Sequence, residues 1–103
     1  MEIRQGSTYT IPLVLRMNGV TVEASEVSDV ELTLGSLKKT LTGGGITLAG
    51  GRFSVSLNQA ETFALEAPET LQAQVRLKFI DGSVKTSNIL RVPVGLSLSK
   101  EVL

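Results

Sequence analysis

The stretch Ile46-Thr47-Leu48-Ala49-Gly50-Gly51-Arg52-Phe53-Ser54-Val55-Ser56 reads as two short ribbons joined at a glycine corner. Gly50-Gly51 supplies two residues that take the positive φ of a tight hairpin turn without steric cost. Turning there sets Leu48 against Phe53 and Ile46 against Val55. Ser54 and Ser56 then point the other way. An apolar face separates from a polar face with a period of two, which predicts a half-buried antiparallel strand pair.

The same reading extends in both directions. A turn at Asn18-Gly19 sets Met17 against Val20, Leu15 against Val22 and Leu13 against Ala24. The opposite face then carries Arg16 with Thr21 and Val14 with Glu23. Pro12 lacks an N–H, which places its strand at an edge or at a bulge. A third turn at Asp81-Gly82 sets Phe79 against Val84, Leu77 against Thr86, Ala73 against Leu90 and Leu71 against Val92. That register also puts Val75 opposite Asn88 and Lys78 opposite Lys85. Like charges facing each other across a ladder are unfavourable by about a few tenths of a kcal/mol. A polar Asn88 on the inner face predicts a bulge or a hydrogen-bonded exit near that residue.

Between the hairpins, Val30, Leu32 and Leu34 alternate with Glu31 and Thr33, a half-buried strand. Leu37 to Thr42 reads as a shorter strand whose Lys38 and Lys39 suit an exposed edge. Gly43-Gly44-Gly45 is a loop; it lacks the Lys-Ser/Thr that a phosphate cradle requires. Asn58-Gln59-Ala60-Glu61 is a capping-box pattern and predicts one short helical turn near residues 59–65. A second short turn is expected near Ser25-Glu26-Val27. The sum is an all-β chain of about seven to nine short strands, which suits an immunoglobulin-like antiparallel β-sandwich; a small, partly open barrel is the alternative. Residues 1–95 form the sandwich domain. Residues 96–103, with four apolar side chains, form a C-terminal strand or an arm that docks on a neighbour.

Composition bounds the chemistry. The 103 residues suit one domain, and 42% are hydrophobic. There is no histidine, cysteine or tryptophan. Imidazole bases, thiolate nucleophiles and His or Cys metal ligands are therefore excluded. Ten basic residues balance ten acidic ones, so the chain lacks the positive excess that phosphate backbones attract. The Met-Glu-Ile-Arg-Gln-Gly start carries no signal-peptide pattern. No apolar run approaches the roughly 20 residues of a membrane span. The lack of cysteine favours an intracellular origin. Glu23, Glu26, Asp29 and Glu31 lack the spacing of a calcium loop and read as a solvated face. Glu61, Glu66 and Glu69 read as capping and surface groups. Tyr9, Phe53, Phe63 and Phe79 read as core, with the Tyr9 hydroxyl hydrogen-bonded at one end. No catalytic, cofactor-binding or metal-binding residues are assigned, and no cofactor, nucleic acid, membrane or small-molecule substrate is expected.

Ile3-Arg4-Gln5-Gly6-Ser7-Thr8, followed by Ile11-Pro12-Leu13, resembles the opening of the small N-terminal immunoglobulin-like domain of phage baseplate upper proteins. Those domains typically open Ile-Arg-Gln-Gly-Asp-Thr before an alternating apolar strand; Ser7 stands in place of the aspartate. Val30-Glu31-Leu32-Thr33-Leu34 is similar to their next core strand. The chain also resembles small stand-alone proteins of Firmicutes prophages with a similar Ser-Leu-Ser-Lys-Glu-Val-Leu tail. The resemblance implies a non-enzymatic structural or adaptor domain, made in the bacterial cytoplasm and associated with a virion. Its partners would be other phage structural proteins or further copies of itself. Expected contacts are the edges Ile3 to Gly6 and Leu37 to Leu41 and the tail, with Leu37, Leu41, Leu96, Leu98, Val102 and Leu103 as interface residues. A β-sandwich binding carbohydrate or a cell-surface ligand is the alternative.

Overall fold

The computed structural model describes residues 2–17, 19–87, 89–99, 101 and 103, with the Met17 side chain left out. The chain is mostly β, with one short helix. In order, the strands are β1 (Ile3–Arg4), β2 (Tyr9–Leu13), β3 (Arg16–Met17), β4 (Val20–Thr21), β5 (Val27–Leu34), β6 (Leu37–Thr40), β7 (Ile46–Ala49), β8 (Arg52–Leu57), β9 (Glu69–Phe79), β10 (Val84–Thr86) and β11 (Leu90–Gly95). A 3-10 turn spans Ala24–Glu26, and helix α1 spans Gln59–Ala64. Both lie where turns are expected from the sequence. Eight of the described strands are longer than two residues.

Two sheets form the body. The larger has the order β1-β11-β9-β5-β6, with β10 also on β9; the smaller has the order β2-β8-β7. All pairings are antiparallel except β1 with β11. Both core clusters draw on both sheets, so the sheets face each other in a sandwich-like arrangement. One cluster holds Ile3, Leu34, Leu71, Ala73 and Val94 from the large sheet, with Leu57 and Leu65. The other joins Val27, Val30 and Leu77 to Ile46, Phe53 and Val55. Ile11 packs against both. Burying each such side chain is worth about 1.5–3 kcal/mol.

The Gly50-Gly51 hairpin has the expected register, with Ile46 opposite Val55 and Leu48 opposite Phe53. The first hairpin is shorter than expected. Arg16 pairs with Thr21 and Met17 with Val20, and the Val22 N–H donates to the Leu15 carbonyl at 2.7 Å. The expected Leu13–Ala24 and Val14–Glu23 pairs do not form, because Leu13 pairs instead with Phe53 in a five-residue β2–β8 ladder. A lone two-stranded ribbon buries too little apolar surface to compete with β8. Pro12 does lie on an edge strand. Asn18 is outside the described residues.

The third hairpin is offset by one residue. Val84 pairs with Lys78, Lys85 with Leu77 and Thr86 with Arg76. Its loop is Ile80-Asp81-Gly82: the Phe79 carbonyl accepts from Gly82 N–H at 3.0 Å, and the Ser83 carbonyl accepts from Phe79 N–H at 2.8 Å. Gly82, at φ 90°, supplies the left-handed residue that a three-residue loop requires. The Asp81 carboxylate accepts from the Ser83 N–H and hydroxyl, which favours this loop over a two-residue turn. The offset removes the expected Lys78–Lys85 opposition. Leu90 still pairs with Ala73 and Val92 with Leu71. The extra residue is therefore absorbed between Thr86 and Leu90. There the Ser87 N–H bonds the Val75 carbonyl at 2.8 Å, while the Ser87 hydroxyl accepts from Val75 N–H at 3.0 Å. The expectation for Asn88 falls outside the described residues.

The first residues are fastened to α1. The Gly6 N–H donates to the Thr62 hydroxyl at 3.0 Å, and that hydroxyl donates to the Ser7 carbonyl at 2.9 Å. Thr62 is fully buried. The capping box forms as the sequence implies: the Asn58 side chain accepts from Glu61 N–H at 2.8 Å, and Glu61 accepts from Asn58 N–H at 3.0 Å. No helix among the described residues is long and apolar enough to cross a membrane.

Candidate interaction surface

The expected interface residues that are described differ in exposure. Leu37 and Leu41 are half-buried; Leu37 packs against the first core cluster and Leu41 against the second. Both follow the inward side of the β6 region and serve the fold. Leu96 is exposed, and its carbonyl accepts from the Arg4 guanidinium at 3.1 Å. Leu98 and Leu103 are wholly exposed, and the Leu103 N–H reaches the Gln59 side-chain oxygen at 2.8 Å. Val102 is outside the described residues. None of the described residues of 96–103 lies in a strand, so β11 is the last strand among the described residues.

Several ionisable groups are engaged in the fold. A concavity of about 480 Å³ is lined by Tyr9, Lys39, Asn58 and Glu61 among others. Lys39 and Glu61 form an ion pair there, and the Tyr9 hydroxyl accepts from Arg4 N–H at 2.9 Å, its expected capping at the sandwich end. Burial works to raise the Glu61 carboxyl, but hydrogen bonds from Lys39 and Asn58 outweigh it and hold the group below its ordinary value. Asp29 behaves alike: burial raises it, and the Thr42 and Val30 N–H groups and the Thr42 hydroxyl lower it further. Glu31 pairs with Arg76 at 3.6 Å. No group of three or more carboxylate, imidazole or thiol side chains converges among the described residues. The Asp29 and Glu61 carboxylates anchor the loop at Thr42 and the start of α1.

A different surface stands out. A groove of about 350 Å³ runs between the segment after β2 and the β10–β11 edge. Val14, Leu15, Leu77 and Leu90 line it, and its charged lining residues are Arg16 and Lys85. Val14 and Leu90 are 68% and 59% exposed. Sequence reasoning missed this groove because it paired Val14 with Glu23 and set Lys85 opposite Lys78, on the other face. The one-residue offset instead sets Lys85 opposite Leu77, on the groove side.

No family model matches the chain, and no curated protein matches it in sequence.

Proposed function

We propose that the chain is a non-enzymatic assembly domain of phage or prophage origin with an immunoglobulin-like fold. Strand order supports the fold assignment. In this reading β5, β9 and β11 correspond to strands C, F and G, with β6 beside C, and β2, β8 and β7 to B, E and D. α1 then sits at the E–F crossover, and the β3–β4 ribbon is an insertion between B and C. The phage assignment rests on the resemblance of Ile3 to Thr8 and of the tail.

The observation that carries an assembly role is the surface. Ten large apolar side chains are at least 45% exposed among the described residues, Leu98 and Leu103 completely. Where such side chains adjoin, as Val14 and Leu90 do across one groove, they form a patch of the kind contact surfaces use. Recognition would run through open sheet edges and apolar patches. The carbohydrate alternative lacks a platform: Phe53 is buried, and Tyr9, Phe63 and Phe79 are half-buried.

The test is to induce the prophage in the cell of origin and separate particles on a density gradient. Co-sedimentation of the chain with assembled particles or tail structures is the expected result. Its recovery only in the particle-free fractions overturns the assignment.

A further inference from the structure

We infer that the outward face of the larger sheet is the docking surface for an acidic patch on a partner protein. The inference takes from the assembly role only that the partner is a protein.

Folding separates charges that composition balances. Leu77 lies in the core, and Leu37, Phe79 and Val92 pack against it. Their strand neighbours Lys38, Arg76, Lys78 and Arg91 therefore face solvent on the opposite side of the sheet, and all four are exposed. The acidic residues on the same face are Glu31, opposite Arg76, and Asp29, opposite Lys78. The chain has ten basic and ten acidic residues, so its remainder holds six of the first and eight of the second. Glu31 is committed to Arg76 at 3.6 Å. Asp29 accepts from the Val30 and Thr42 N–H groups and from the Thr42 hydroxyl. Lys38, Lys78 and Arg91 are left in no ion pair among the described residues.

The ground between these cations suits a protein. Thr33 and Gln72, the ladder partners of Lys38 and Arg91, line a concavity of about 270 Å³ together with Gln74, Thr70 and Ile89. Ile89 and, opposite Lys78, Val84 are exposed and add apolar contact. Carboxylates complement the cations, and the hydroxyls and amides between them supply neutral hydrogen bonds. Single-stranded nucleic acid needs aromatic platforms for its bases. None of the four aromatic residues lies on this face: Tyr9, Phe53 and Phe79 pack in or against the core, and Phe63 is on α1. The duplex major groove takes a helix or a two-stranded ribbon rather than a broad sheet face. A two-fold dimer through this face would set cations against cations.

The experiment titrates the isotopically labelled full chain, in about 0.15 M salt, and follows amide resonances. The probes are the blocked peptide Glu-Ala-Glu-Val-Glu-Ala-Glu, its lysine counterpart and a thymidine oligonucleotide of similar charge. The expected result is shifts at Thr33, Lys38, Gln72 and Arg91, with the glutamate peptide bound at least about tenfold more tightly than the lysine peptide. In the chain carrying Lys38→Glu, Lys78→Glu and Arg91→Glu the preference reverses. A control carrying Arg16→Glu, Arg52→Glu and Lys85→Glu makes the same charge change at exposed positions off this face, and it keeps the preference. Unchanged shifts elsewhere confirm an intact fold in both. Equal binding of the two peptides, no shift up to about 10 mM peptide, loss of the preference in the control, or shifts confined to another surface overturns the inference. Tighter binding of the oligonucleotide to this face overturns it in favour of nucleic acid. Concentration-dependent shifts of the same amides without a probe overturn it in favour of a second copy. A chain that binds the glutamate peptide here but stays out of particles keeps this face and removes the assembly role; the converse removes only this face.

Discussion

The buried Gln5 side-chain amide donates to the Leu65 carbonyl at 2.9 Å, across 60 residues of sequence. Leu65 is the C-cap of α1, and its carbonyl has no partner within the helix. Gln5 thus closes the helix end from the N-terminal segment, while Thr62 holds Gly6 and Ser7 one turn earlier. The opening Ile3–Thr8 motif is a clamp on the crossover between the two sheets.

Gln5→Ala removes the donor to the Leu65 carbonyl, and Thr62→Val removes a hydroxyl that serves Gly6 N–H and the Ser7 carbonyl. Each leaves buried polar groups unmatched and is expected to destabilise the fold by about 1–3 kcal/mol. Urea denaturation followed by circular dichroism measures it. Two wild-type midpoints would show that the clamp contributes nothing.

Gly6 sits at φ 80°, and a Cβ there would lie 2.8 Å from the Phe63 ring. Gly44 has a similar φ of 85°, with nothing within 4 Å of an added Cβ. Gly44→Ala should cost only the left-handed strain, about 1–2 kcal/mol. Gly6→Ala should cost more, because the ring must also shift. Thermal melts of the two variants side by side check the order, and equal losses would exclude the steric contribution.

Asn58→Ala removes the acceptor for Glu61 N–H and should cost about 0.5–2 kcal/mol. Glu61→Gln keeps the length of the side chain but loses the charge that Lys39 and the helix N-terminus both favour. Its loss should shrink in high salt far less than that of an exposed pair, since both side chains are about four-fifths covered. Chemical denaturation at low and high salt reads the difference.

Asp29 and Glu61 both have folded-state pKa values below their ordinary values of 3.8 and 4.5. The unfolded chain therefore binds protons more readily than the folded one as the solution is acidified. The stability these carboxylates contribute is complete above the ordinary values and is lost as pH falls through the lower folded ones. Denaturation midpoints should drop below about pH 4.5 in the wild type. The drop should be shallower in a chain carrying Asp29→Asn and Glu61→Gln. An equal slope in both would assign the acid sensitivity to other groups.

Local chemistry determined the Gly50-Gly51 ribbon, the Asn58–Glu61 capping box, the half-buried β5 and the edge position of β6. In each, the decisive partners lie within a few residues, so alternation and turn residues are enough. Tertiary structure decided three other features. Leu13 could satisfy its period of two against Ala24 or against Phe53, and only the larger apolar area on β8 selects the second. The Asp81-Gly82 pair fits a two-residue or a three-residue loop, and the Ser83 hydrogen bonds select the longer one. That single-residue offset brings Lys85 opposite Leu77 and, with the release of Val14 from the first hairpin, forms the β10 groove. A surface made from segments about seventy residues apart depends on which of several equally patterned registers buries the most, and pattern alone carries no record of that competition.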